Sequence, residues 1–73
     1  MSMAFGISSD DVLVVAARRG TPITDEEAER WFEELDASLV EDAALYGNDM
    51  DEQTNYALDE IERQLVNLGY LQD

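Results

Sequence analysis

Apolar and polar positions recur along most of this chain with the period of an α-helix. The plainest case is the stretch Thr24 to Leu35, TDEEAERWFEEL. Ala28, Trp31, Phe32 and Leu35 fall at i, i+3, i+4 and i+7, which places them on one helical face. Glu26, Glu29 and Glu33 recur at similar spacing on another side. Thr24 followed three residues later by Glu27 forms a capping box, and Ile23 stands where a hydrophobic staple onto Ala28 belongs. Thr21-Pro22 breaks the chain just upstream, because a residue preceding proline avoids the helical region. The spacing predicts a helix over 25–36. Trp31 and Phe32 have the largest area to bury, so the fold is expected to close over them.

Three further helices follow from the same reading. Ser8 with Asp11 makes a partial capping box, partial because Glu or Gln is preferred at that position. The run Val12 to Ala17 then contains three valines, which would also suit a strand. Acids at its start and Arg18-Arg19 at its end match the helix dipole, so a helix over 9–19 is expected, with Gly20 closing it. Asp36-Ala37-Ser38 reads as a joint. Ser38 and Glu41 read as the box that opens a short helix over 39–46, with apolar positions Leu39, Val40, Ala43, Ala44 and Leu45. Asp49 with Glu52 opens the longest helix, 50–68, lined on one face by Thr54, Ala57, Leu58, Ile61, Leu65 and Leu68. Gly69 closes it, and Tyr70 is placed to reach back to Leu65. Residues 1–7 read as a loose lead-in whose Phe5 and Ile7 tuck against the body. The expectation is one all-α domain over 1–73, a small irregular bundle of four helices.

Composition changes this picture in one respect. The chain has 73 residues and no cysteine, so it builds a modest core without disulfides. Its N-terminus, MSMAFGISSD, lacks the basic and apolar regions of a signal peptide, and no window approaches a membrane span. A cytoplasmic protein is therefore expected. Charge is the outlying property: eighteen acids face four arginines, for a formal net charge of −14. That exceeds the ~2–8 charges that serve solubility in a small domain. Such a field repels nucleic acid and anionic membranes and attracts basic surfaces. It also opposes folding through self-repulsion, which salt relieves. Strong charge accompanies disorder when apolar content is low, but here 45% of residues are hydrophobic and regularly patterned.

Little in the sequence suggests catalysis. Without histidine or cysteine the usual base and nucleophile pairings are missing, and no glycine-rich phosphate loop occurs. Paired carboxylates could act as acid and base, but only in a cleft that four short helices rarely enclose. Asp49, Asp51, Gln53 and Glu60 match four positions of a calcium loop, yet Thr54 stands where glycine belongs and the segment reads as helix. Caps and helix acids account for the same residues. The reading is a non-enzyme with no cofactor and no metal. Arg18-Arg19 is the sole basic cluster, too small for phosphate binding, and is read as dipole compensation with an acidic neighbour.

What remains is the acidic pattern. Glu26, Glu29, Glu33 and Asp36 are separated by three, four and three residues, or about 4.5–6 Å along a helix axis. Glu27 and Glu34 flank that row. Glu41 and Asp42, then Asp49, Asp51, Glu52, Asp59, Glu60 and Glu62, are expected to extend the negative surface, interrupted by Arg30 and Arg63. Rigid carboxylates at this spacing can stand in for a phosphate backbone. The expected partner is the basic surface of a nucleic-acid-handling protein, met through Glu26, Glu29, Glu33, Glu34, Asp36, Glu41 and Asp42. The alternative is a small adaptor or dimerisation module, docking on a partner or a second copy through apolar contacts.

The runs DEEAERWFEELD and DEQTNYALDEIERQL, with the small size and acidity, resemble the small acidic inhibitors carried by phages and mobile elements, of anti-restriction and anti-CRISPR type. That resemblance implies a protein that occupies a DNA- or RNA-binding surface of host machinery. It carries no individual functional residue, because those inhibitors share no common motif.

Overall fold

The computed structural model describes residues 7–72. Four helices follow in order: α1 (Ser9–Arg18), α2 (Asp25–Glu33), α3 (Ala37–Ala44) and α4 (Met50–Leu68). No strand occurs among the described residues, so the all-α expectation holds and the valines of α1 are helical. The lead-in through Gly6, including Phe5, lies outside the described residues, while Ile7 packs against the core.

Local capping chemistry sets most helix boundaries. Ser8 and Asp11 close a complete capping box at α1, as do Thr24 and Glu27 at α2. Asp49 accepts from the Glu52 amide at 2.9 Å to start α4, and Gly69 ends it in the left-handed region at φ 89°. The Tyr70 amide then donates to the Leu65 carbonyl at 3.0 Å, the return bond expected there. Gly20 is likewise left-handed, at φ 74°.

Three boundaries depart from expectation by two or more residues, the end of α2 and both ends of α3, which stops at Ala44 rather than at 46. α2 ends at Glu33, three residues early, and α3 begins at Ala37, because Asp36 and not Ser38 is the cap. The Asp36 carboxylate accepts from the amides of Ser38 and Leu39 at 3.2 and 3.4 Å. The Ser38 hydroxyl donates to that same carboxylate at 2.7 Å. A charged acceptor two residues upstream outcompetes a serine for the orphan amides.

α4 is the platform. α1 and α3 pack against it, and α2 packs against α1. The core joins Val12, Val15 and Ala16 of α1, Ala28 and Trp31 of α2, Val40 and Ala44 of α3, and Ala57, Ile61 and Leu65 of α4, with Leu71 beyond. The largest fully buried side chains are Ile61, Leu65, Val12, Val15 and Val40, so the centre is aliphatic. The fold thus closes over Trp31, a member of the core cluster, and only partly over Phe32, while the centre of the core is made by other residues. Trp31 is buried toward the edge, with its ring stacked on Tyr70 at a centroid distance of 4.7 Å and an interplanar angle of 9°. Phe32 is half-buried. Leu39, Leu45 and Leu68, expected on apolar faces, are exposed.

One buried polar side chain joins the two halves. Gln64 accepts from the Asp36 amide at 2.7 Å and donates to the Asp36 carbonyl at 3.3 Å and to Glu60 at 2.9 Å. Its amide pairs with the backbone of the α2–α3 joint as a neighbouring strand would. Gln64→Leu keeps the volume but strips those partners, so urea unfolding should show a loss of about 1–3 kcal/mol with helix content retained. An unchanged midpoint would mean that the joint is held by packing alone.

Candidate protein-binding surface

The residues expected to face a partner fall into two groups in the structure. Glu26, Glu29 and Glu33 are all exposed on α2, separated by about 4.5 and 6 Å along the axis. Glu34 is exposed at the α2 C-cap and accepts a hydrogen bond from the Tyr70 hydroxyl. That bond to Glu34 holds the Tyr70 phenol above its ordinary pKa. Asp36 does not continue the row, because the helix has already ended and its carboxylate caps α3. Glu41 is half-buried and Asp42 exposed, both on α3, which packs against α4. Behind the α2 row lies Trp31, fixed by its stack on Tyr70.

The arginines divide the acids further. Arg18 reaches Asp59 at 3.4 Å and Glu62 at 3.3 Å, and Arg19 meets Glu62 at 2.6 Å. Arg19 also donates to the Gln72 carbonyl, and Arg63 pairs with Glu60 on its own helix. The hydrogen bond from Arg63 holds the Glu60 carboxyl below its ordinary pKa, with help from Gln64 against partial burial. Asp59, Glu60 and Glu62 therefore do not extend an open negative surface. They line, or lie beside, a groove of about 480 Å³ shared with Arg18, Arg19 and Arg63. Among the described residues, no ion pair engages a carboxylate of α2 or α3.

Arg18-Arg19 thus finds the acidic neighbour expected of it, more than forty residues along the chain. The sequence signal was available, since Asp59 and Glu62 lie at i and i+3, but nothing in it says which helix they face. The roles of Gln64 and of the Tyr70 hydroxyl had no sequence signal. Of the calcium-loop residues, Asp49 is a cap and the rest lie within α4, where a continuous helix replaces the loop. Among the described residues, no cluster of three or more potential ligands could hold a metal ion. Nor is any described helix long and apolar enough to cross a membrane.

The carboxylates that do find partners give the stability a signed pH dependence. Asp36 is held below its ordinary pKa first by the Ser38 hydroxyl, and Glu60 first by Arg63. A lowered folded-state pKa stabilises above the ordinary carboxylate range, near pH 4, and that contribution is lost as pH falls through the lowered values. Self-repulsion acts oppositely, weakening as pH approaches the isoelectric point of about 4.1. Thermal unfolding at low salt should therefore give a Tm that rises from pH 7 to about pH 5 and falls below about pH 4. At pH 7, about 0.5 M salt should raise Tm as well. A Tm that declines steadily from pH 7 downward would contradict this balance.

No family model, no curated protein and no solved structure matches this chain.

Proposed function

We propose that this chain is a non-catalytic inhibitor that binds the basic, nucleic-acid-holding surface of another protein and presents carboxylates where phosphates would lie. One observation carries the reading. The arginines of α1 and α4 sit against α4 acids, while Glu26, Glu29 and Glu33 stand exposed on α2 without an ion-pair partner. Charge left unpaired inside the molecule is available to lysines and arginines outside it. Trp31, buried behind the row and stacked on Tyr70, gives those acids a fixed base. The net charge of −14 steers encounter with a cationic groove and disfavours nucleic acid itself as the ligand. The resemblance to small acidic inhibitors of host nucleic-acid machinery supports the same reading. Exposed Leu45 and Tyr46 favour the alternative, an adaptor docking through apolar contacts.

The test is charge reversal on α2. Glu29→Lys with Glu33→Lys should leave the circular-dichroism spectrum unchanged. Capture of a DNA- or RNA-binding protein from host lysate at low salt should be abolished in that variant. The wild-type complex should dissociate on raising salt and on adding duplex DNA as competitor. Unchanged capture by the double variant would remove α2 from the interface, and a complex indifferent to salt would favour apolar docking.

A further inference from the structure

The turn between α3 and α4 carries the most exposed large apolar side chains among the described residues. Leu45 is 79% exposed, Tyr46 80% and Met50 61%, all within six positions. Scattered surface hydrophobics are ordinary, but these three stand together at the tight junction where α3 passes into α4.

This turn is built rather than loose. The Tyr46 and Gly47 amides return to the carbonyls of Ala43 and Ala44 at 3.2 and 3.0 Å. The Asn48 amide donates to Glu52 at 2.8 Å, and Asp49 caps the following helix. Gly47 lies directly on the α4 backbone: a Cβ there would stand 2.7 Å from the Glu52 carbonyl carbon and 2.8 Å from the Gln53 Cα. The backbone presenting the three side chains is thus fixed before any partner arrives, which lowers the entropy lost on binding. Tyrosine and methionine are also enriched at interface centres.

The surroundings decide what covers the patch. Asp42 lies three residues before Leu45 on α3, and Asp49 and Asp51 flank Met50; all three are exposed. A second copy would bring the same acids face to face, each chain carrying −14. An anionic lipid surface is repelled for the same reason. A cationic amphipathic segment satisfies both features, its apolar stripe over Leu45, Tyr46 and Met50 and its lysines or arginines toward the acids.

We propose that this turn is an apolar anchor for a basic amphipathic segment of the partner protein, adding contact specificity to the electrostatic attraction of α2. The proposal rests on the reading of the chain as a ligand for basic protein surfaces.

Two fluorescent peptides of equal charge test it, one oligolysine and one with lysine and leucine at helical spacing. In about 0.3 M salt, where exposed charge pairs are screened, the wild type should bind the amphipathic peptide at least about tenfold more tightly than oligolysine. Leu45→Ser with Tyr46→Ser and Met50→Ser should bring that ratio to about one, with oligolysine binding at low salt and the circular-dichroism spectrum unchanged. The single substitution Tyr46→Ser should lower the ratio by about threefold or more and guards against misfolding of the triple variant. A wild-type ratio near one, or a ratio the variants do not change, overturns the anchor while low-salt oligolysine binding through α2 stands. Failure to bind oligolysine even at low salt overturns both this inference and the reading beneath it. Concentration-dependent dimers in sedimentation velocity, lost in the triple variant, would assign the patch to a second copy and overturn the proposal.

Discussion

A chain with eighteen acids and four arginines cannot compensate its own charge, so the placement of those few cations decides where the excess negative charge stands. Three of the four lie around one groove, where the end of α1 meets the later turns of α4. Arg18 and Arg19 bridge the end of α1 to the Asp59 and Glu62 carboxylates of α4. Exposed ion pairs of this kind contribute little stability singly, about 0.2–1 kcal/mol. Their larger consequence is distribution. By neutralising one side of the molecule they leave the negative charge concentrated on α2 and α3, which together hold one arginine, Arg30.

Apolar packing carries the fold itself. The α4 stripe of Ala57, Ile61 and Leu65 supplies a surface long enough to receive both α1 and α3, and α2 completes the cluster by leaning on α1. α2 has only Ala28 and Trp31 fully committed to the core. It is tied down instead near its C-terminal end, through the Trp31–Tyr70 stack and the pairing of Gln64 with the Asp36 backbone. A helix held mainly by one face and one end can leave its remaining side chains to solvent. That is how a sequence with so many glutamates at helical spacing still folds.

Much of this was legible from local chemistry. The capping boxes at Ser8 and Thr24, the glycine stop at Gly69 and the apolar stripe of α4 are determined by residues within a turn or two of one another. The missed features are relational. Asp36 took the cap from Ser38 because two good caps stood two residues apart, and spacing alone does not rank them. Leu39, Leu45 and Leu68 satisfied a helical period, yet too few facing residues exist to cover them, a limit set by the size of the chain. Gln64 reads as a polar position on α4, and only the arrival of the α2–α3 joint makes it a buried connector. For the candidate surface, periodicity gave Glu26, Glu29 and Glu33 their common face. It could not reveal that Asp59 and Glu62 would be answered by Arg18 and Arg19 from another helix, whereas the Glu60–Arg63 pair is local.

The two faces of the molecule therefore differ in electrostatic potential, and that difference is measurable without knowing the partner. Amide-proton relaxation enhancements from a cationic and an anionic paramagnetic co-solute, compared residue by residue at low salt, report the near-surface potential directly. The most negative values are expected around Glu26, Glu29 and Glu33, with markedly weaker ones around Asp59 to Arg63. Equal potentials on the two faces, or a more negative α4, would contradict that expectation.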